Sequence, residues 1–503
     1  MRYLWLLSAV LSAPLAAQVE PLATAAATIT APDLLGHIQV IAADSMQGRA
    51  TPSPELERTA EYVTSEFRRF GLQPAGDDGS YLQRFGVTRW TIDTAASVVE
   101  LAVLETRDVA RLGKDARYIL GKIAPSAIAA PAILISPGDS QSSLVGPDVQ
   151  GKVVLLLADL SKPLPLTFNE RVIELSAAGP AAVLVLSNRD SLTFTQRLRL
   201  AARPRLERDS LYGQESGAPV IELHERAVKT VLRRLKLDPA RLRQLPQGVR
   251  RPIPGLQIAL RLSRKVLNQS QVPNVVALLQ GSDPVLKKEF LVYSAHIDHI
   301  GISSGQVDSV NNGADDNASG VAGLLELAAA FARGGVRPRR SILFLAPSGE
   351  EDGLLGSAHF TEHPTVPLSQ IVANVNMDLV GRNWTDSVIA VGLEQTDLGT
   401  TLRAVSDAHP ELRMTPIADR WPEERIFYRS DHYNFARKGV PILFFTSGTH
   451  PDYHQPSDEA SRIDSEKEAR LVRLLFYLGA RVADTVPRPR WNAARYRQIV
   501  EGK

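Results

Sequence analysis

Phe290-Leu291-Val292-Tyr293-Ser294-Ala295-His296 joins a short apolar run to an imidazole at its far end. The same pattern recurs along the C-terminal half. The run 341–346 leads to Glu350 and Glu351, and the run 371–375 leads to Asp378. Segments 321–331, 400–408 and about 466–483 carry helical spacing, while 388–391 and 441–445 are further apolar runs. Such alternation predicts an α/β chain with a mostly parallel sheet covered by helices on both faces. Functional side chains of such sheets gather where strands end at their carboxyl edge. His296, Glu350, Glu351 and Asp378 all fall at such ends.

Five of the candidate residues have the chemistry of metal ligands: His296, Asp316, Glu351, Asp378 and His454. Two neutral imidazoles and three carboxylates form the donor set expected for a pair of zinc ions sharing one bridging carboxylate, although cobalt or manganese also suit nitrogen and oxygen donors. Eight of the ten histidines lie between 296 and 454. Glu350 sits beside a ligand with no evident structural task, where a general base would be wanted. Each residue also has a plainer reading. A His or Asp beyond a strand is most often a turn or cap residue. Asp316 competes with Asp315 and Asn317 to cap a helix beginning near Ser319, and Glu350-Glu351 fit a helix first turn. Together the five favour the metal reading, because five separate turns would otherwise all present metal-type side chains without need.

Composition narrows the classes. A chain of 503 residues is too long for one ordinary core, so two domains are expected. A net charge of +2 gives no electrostatic case for a nucleic-acid partner. Arginines are dense over 197–251, but acids and apolar residues interrupt them, as on a solvated face. Residues 1–17 read as an export signal: Arg2, an apolar stretch over 4–15, then Leu15-Ala16-Ala17 before Gln18. That stretch is shorter than the about 20 residues needed to span a bilayer, and its alternative is a buried N-terminal helix. With no second membrane-length segment, no transmembrane anchor is expected. The absence of cysteine excludes disulfides and a lipid-anchored cysteine. The expectation is an exported protein, periplasmic or extracellular.

Three blocks follow the signal. Residues 25–125 open with helical patterning, from the start signal Ala31-Pro32-Asp33 and over 54–70. Residues 126–262 form a β-rich insert with runs at 132–135, 153–157, 181–186 and 220–223 and a helical stretch at 169–178. Pro125 and Pro131 at one end, and Pro246, Pro252, Pro254 and Gly255 at the other, read as its borders. None of its acids or histidines has metal-ligand spacing. The main domain then runs over 263–490.

At the candidate residues the chain resembles the two-zinc aminopeptidases of the clan that also holds glutamate carboxypeptidase II, the transferrin receptor and glutaminyl cyclase. The resemblance rests on Ser294-Ala295-His296-Ile297-Asp298-His299-Ile300-Gly301 and Asn312-Gly313-Ala314-Asp315-Asp316-Asn317-Ala318-Ser319-Gly320. It continues through Ser348-Gly349-Glu350-Glu351 with Leu354-Leu355-Gly356-Ser357, Asn376-Met377-Asp378, and Asp452-Tyr453-His454-Gln455-Pro456-Ser457-Asp458. It implies a zinc-exopeptidase-like fold over about 265–490, and the insert resembles the protease-associated (PA) domain often found in this family. It also implies two Zn2+ per chain bridged by Asp316, one ion taking His296 and Asp378, the other Glu351 and His454. Asp298 would orient His296, Tyr453 would hydrogen-bond the oxyanion, and Arg429-Ser430-Asp431 would line the substrate pocket. His299 and His432 would be structural or would support a ligand.

The implied activity is metal-assisted hydrolysis that removes N-terminal residues from peptides with a free amino end. Glu350 would act as general base, and the acidic cluster would attract an α-ammonium group. Three rivals lie within the clan. A carboxypeptidase would need cations gripping a C-terminal carboxylate. A glutaminyl cyclase-like acyltransferase would keep one zinc, whereas the whole five-ligand set is present. A receptor-like binding protein would have degraded ligands, and these are intact.

Overall fold

The computed structural model describes residues 16–124, 126–137, 144–162, 166–245, 248–303, 305 and 307–500. Apart from residues 16 and 17, the expected export signal lies outside the described residues. Among these residues no helix is long and apolar enough to cross a membrane. Contacts divide the chain into two compact units, Met1–Phe85 with Gln271–Lys503, and Gly86–Ser270.

The first unit is built on a sheet whose strands run in the order Thr415–Ile417, Ser387–Val391, Ile442–Thr446, Ile371–Met377, Phe290–Ser294, Ser341–Ala346 and the end of Arg264–Leu279. The four strands from Ile442–Thr446 to Ser341–Ala346 pair in parallel, and antiparallel strands flank them. Every residue of these four strands is buried, as a parallel sheet covered on both faces requires. The predicted apolar runs therefore became strands. The predicted helices formed as Gly320–Arg333, Leu398–Ala408 and Ser465–Asp484.

The N-terminal helices obey local rules as well. Ala31–Ile41 is capped by Thr30, whose side chain accepts from the Asp33 amide. Pro54–Phe70 starts with Ser53 as cap and proline in its first turn, and stops at Gly71 in the left-handed region. Its buried face, Leu56, Ala60, Val63, Phe67 and Phe70, follows helical spacing. Phe67 packs at 6.1 Å from the Phe344 ring, which lies 6.0 Å from Tyr293. Phe344→Ala should therefore cost about 3–5 kcal/mol, read as an earlier midpoint in denaturant unfolding. An unchanged midpoint would mean that this ring cluster does not tie the helix to the sheet.

The second unit holds a sheet in the order Thr106–Arg111, Val98–Val103, Val249–Arg261, Ile128–Ser136, Val153–Leu156, Ala182–Ser187, Val220–His224, Ala116–Leu120. The β-rich runs expected between 126 and 262 are all strands here, and Leu166–Ala177 is the expected helix. The limits differ from those read in the sequence. The unit starts at Gly86 because Val98–Val103 and Thr106–Arg111 belong to the same sheet through pairing with Val249–Arg261. The Pro252-Pro254-Gly255 stretch is not a border. It lies inside Val249–Arg261, where the register breaks between Ile253 and Gln257 and Gly255 adopts a φ of 78°. A bulge is where a strand tolerates proline and positive-φ glycine.

Candidate metal centre

Three neighbouring parallel strands deliver the site. His296 lies two residues beyond Ser294, Asp378 directly follows Met377, and Glu350 and Glu351 leave the turn after Ala346. Asp316 comes from the irregular segment Ala314–Ser319, and His454 from a loop with φ 56° at that residue. Asp316 does not cap the helix Gly320–Arg333. Asn317 does so, accepting from the Gly320 amide at 3.0 Å. Asp316 is thereby left to face the site.

The side chains converge in two groups that share Asp316: His296, Asp316 and Asp378 in one, and His299, Asp316, Glu351 and His454 in the other. His296 Nε2 lies 3.5 Å from both Asp316 Oδ1 and Asp378 Oδ1. His454 Nε2 lies 3.1 Å from Asp316 Oδ2 and 3.2 Å from Glu351 Oε2. Glu350 Oε2 is 3.9 Å from His296 Nε2 and sits in neither group. All five expected ligands thus come together, and every member of both groups belongs to the first unit.

The electrostatics are those of a crowded acid cluster. Burial pushes Asp316 up to about 6, aided by the Glu351 charge. Burial also holds Glu350 well above the ordinary carboxylate range, against the pull of His296. Burial acts upward on Glu351 too, but hydrogen bonds with His299 and His454 outweigh it and leave that carboxyl below its usual value. Burial lowers the affinity of both His296 and His454 for a proton, yet the adjoining carboxylates win. His454 rises to about 10 and His296 well above its usual value. Such a site draws positive charge inward. His296 Nε2 and Asp378 Oδ1, buried and facing each other, have no hydrogen-bond partner among the described residues. Orphaned imidazole and carboxylate donors around a shared carboxylate fit a pair of divalent cations.

Supporting contacts fix the candidate ligands. Asp298 is fully buried behind His296, whose Nδ1 lies 3.2 Å from the Asp298 main-chain oxygen and 3.6 Å from its carboxylate. The nearer contact is thus with the backbone. The carboxylate itself accepts from the Glu350 amide and from Thr51 Oγ1, both at 3.1 Å. Ser430 Oγ donates to Asp378 Oδ2 at 2.8 Å and accepts from Asn376, linking that ligand to the sheet. His299 Nδ1 is 2.7 Å from Glu351 Oε1. His432 is buried, bonded to the Phe427 oxygen at 2.8 Å, and burial lowers its pKa to about 3, a structural role.

Beside Asp316, Glu350 and Asp378 opens a cavity of about 70 Å³. Leu379, Trp421, Ile426 and Phe444 form an apolar wall, and Tyr453 and Arg429 also line it. Tyr453 stacks on the His454 ring at 3.9 Å. Arg429 lies at the exposed rim, 3.7 Å from Glu424. Asp431, expected to line this pocket, is instead fully buried and absent from its lining. Its neighbour Ser430 is the part of that segment that touches a ligand.

Sequence reading missed three residues that hold the Asp316 loop. Asp458 accepts from the amides of Asp315 and Asp316, at 3.0 and 3.1 Å. Asp315 accepts from the Gly381 amide at 2.6 Å. Arg49 donates to the Asp316 carbonyl from the N-terminal block. Asp315 and Asp458 were within the quoted motifs, so their residue type was the available signal. Nothing around Arg49 distinguished it.

Residues 274–479 match Peptidase family M28. Among curated proteins it is similar to Aminopeptidase YwaD of Bacillus subtilis (strain 168), 25% identical over 334 residues, 64% of this chain and 60% of that protein. It is also similar to a Probable zinc metalloprotease of Pyrenophora tritici-repentis (strain Pt-1C-BFP), 32% identical over 262 residues, 46% of this chain and 59% of that protein. The chain thus spans about 60% of the length of these two relatives. Among solved structures, the aminopeptidase from Aneurinibacillus sp. strain AM-1 shares the fold with a TM-score of 0.54 at 17% identity, covering 94% of this chain and 100% of that one.

Proposed function

We propose that this chain is an exported zinc aminopeptidase that removes N-terminal residues from peptides, using two metal ions bridged by Asp316. The observation that carries the reading is the pair of side-chain groups, one buried and one half-buried, that share Asp316 beside an apolar-walled cavity. His296 and Asp378 would hold one ion, Glu351 and His454 the other, with His299 supporting Glu351. A bound zinc pair supplies polarisation of the scissile carbonyl and an acidified water. The protein groups do the rest. Glu350 takes the water's proton on its carboxylate and delivers it to the leaving amine. Tyr453, on the cavity wall, donates its hydroxyl to the developing oxyanion. The acidic cluster attracts the substrate's α-ammonium, which favours cleavage from the amino end.

The cavity wall suggests a bulky apolar N-terminal side chain as the preferred substrate. Trp421→Ala should lower kcat/KM for leucyl and phenylalanyl substrates by about 10–200-fold, with a smaller loss for alanyl substrates. Equal losses for all three would remove Trp421 from the side-chain pocket. The wider test is to assay the protein against free and N-blocked peptides while measuring bound zinc. Release of C-terminal residues from N-blocked peptides would replace this reading with a carboxypeptidase.

A further inference from the structure

We propose that Arg49 is a positioning residue for the metal-bridging carboxylate, so that residues 42–51 belong to the metal centre although they lie outside the span matching family M28. The inference rests on the two-metal reading above.

Arg49 is 1% exposed, and among the described residues its guanidinium forms no ion pair. Its donors end on main-chain oxygens: Ile41 at 3.4 Å, Asn312, Gly313 at 2.7 Å and Asp316 at 3.1 Å. Three of these four acceptors belong to one five-residue stretch, and the last is the bridging residue itself. A planar fork of fixed donors suits this task, because it holds several carbonyls at set separations at once. Burying a guanidinium without a carboxylate in contact is costly. Burial accordingly lowers its pKa, while the charges of Asp316, Asp298, Asp458 and Glu351 oppose that shift.

The flanking residues engage the other ligand-bearing loop. Thr51 Oγ1 donates to Asp298 at 3.1 Å, and the Gly301 amide donates to the Gly48 oxygen at 3.1 Å. Asn312 donates to the Ala42 oxygen and to Asp44, both at 2.8 Å. The approach is too close for side chains. A Cβ on Gly48 would lie 2.5 Å from the Asn311 oxygen and 2.6 Å from the Gly301 oxygen. Residues 42–51 therefore touch both the 296–301 and the 311–316 loops, which carry His296 and Asp316.

The test compares zinc affinity, by competition with a chromophoric chelator, in the wild type, Arg49→Met, Arg49→Lys and Arg340→Met. Arg340 is the control: it is fully buried, in the same unit, and donates to the main-chain oxygens of Val482 and Val486, both at 2.8 Å, away from the ligands. Arg49→Met should weaken zinc binding about 10–100-fold, as loss of an outer partner of a metal ligand does. Arg49→Lys should restore part of the affinity, because an ammonium keeps the charge without the fork. Arg340→Met should lower Tm and leave zinc affinity unchanged. If Arg49→Met fails to fold, Arg49→Lys decides, and wild-type affinity in a folded Arg49→Lys overturns the proposal. So does wild-type affinity in folded Arg49→Met, or an equal loss in Arg340→Met. A wild type that holds no zinc pair sinks the two-metal reading itself, and this inference with it.

Discussion

Glu350→Ala should slow peptide turnover by about 10²–10⁴-fold, the usual loss on removing a general base, while bound zinc and Tm stay at wild-type values. Glu350 lines the cavity but belongs to neither ligand group. Its main-chain amide is fixed by Asp298 at 3.1 Å, which sets the direction in which the side chain leaves the turn. Burial raises the proton affinity of its carboxyl, as suits a group that must accept a proton at neutral pH and return it. Glu351, one residue on, bonds His299 and approaches His454. Glu351→Ala should therefore release metal, and Glu350→Ala should not. Turnover and zinc content measured side by side decide the matter. A Glu350→Ala protein that loses zinc, or keeps near-normal turnover, rules out the assigned role.

The sheet was legible because its strands are buried on both faces. Phe290–Ser294, Ser341–Ala346 and Ile371–Met377 each read as a continuous apolar run, with the functional residue where the run stops. The convergence of the five candidate residues was legible because few other tasks call for two imidazoles and three carboxylates at such ends. What was hidden depends on contacts between residues far apart in the chain. Arg49 reaches carbonyls more than 260 residues away, and carbonyl acceptors leave no trace in residue identity. The border of the second unit was misplaced for a related reason. Proline and glycine punctuate a bulge as strongly as a linker, and only strand pairing separates the two. Asp431 was expected in the pocket because Arg429-Ser430-Asp431 resembles a pocket-lining segment, yet its side chain is fully buried.

The largest loss is expected at Asp316, the one residue common to both ligand groups. Its Oδ1 faces His296 and its Oδ2 faces His454, so one truncation removes a donor from each group. Asp316→Ala should weaken both zinc sites by more than the about 10–100-fold typical of losing an outer partner, and activity should fall with the metals. The loop should survive the change. Asp316 is anchored through its backbone, the amide donating to Asp458 at 3.1 Å and the carbonyl accepting from Arg49 at 3.1 Å. Neither bond uses the carboxylate that is removed. Glu351→Ala is the comparison, because it leaves His296, Asp316 and Asp378 in place and should cost one ion. Elemental analysis after dialysis against a weak chelator should give no zinc for Asp316→Ala, one for Glu351→Ala and two for the wild type. If Asp316→Ala kept one tightly held ion, the two groups would be independent sites, and Asp316 would not be their bridge.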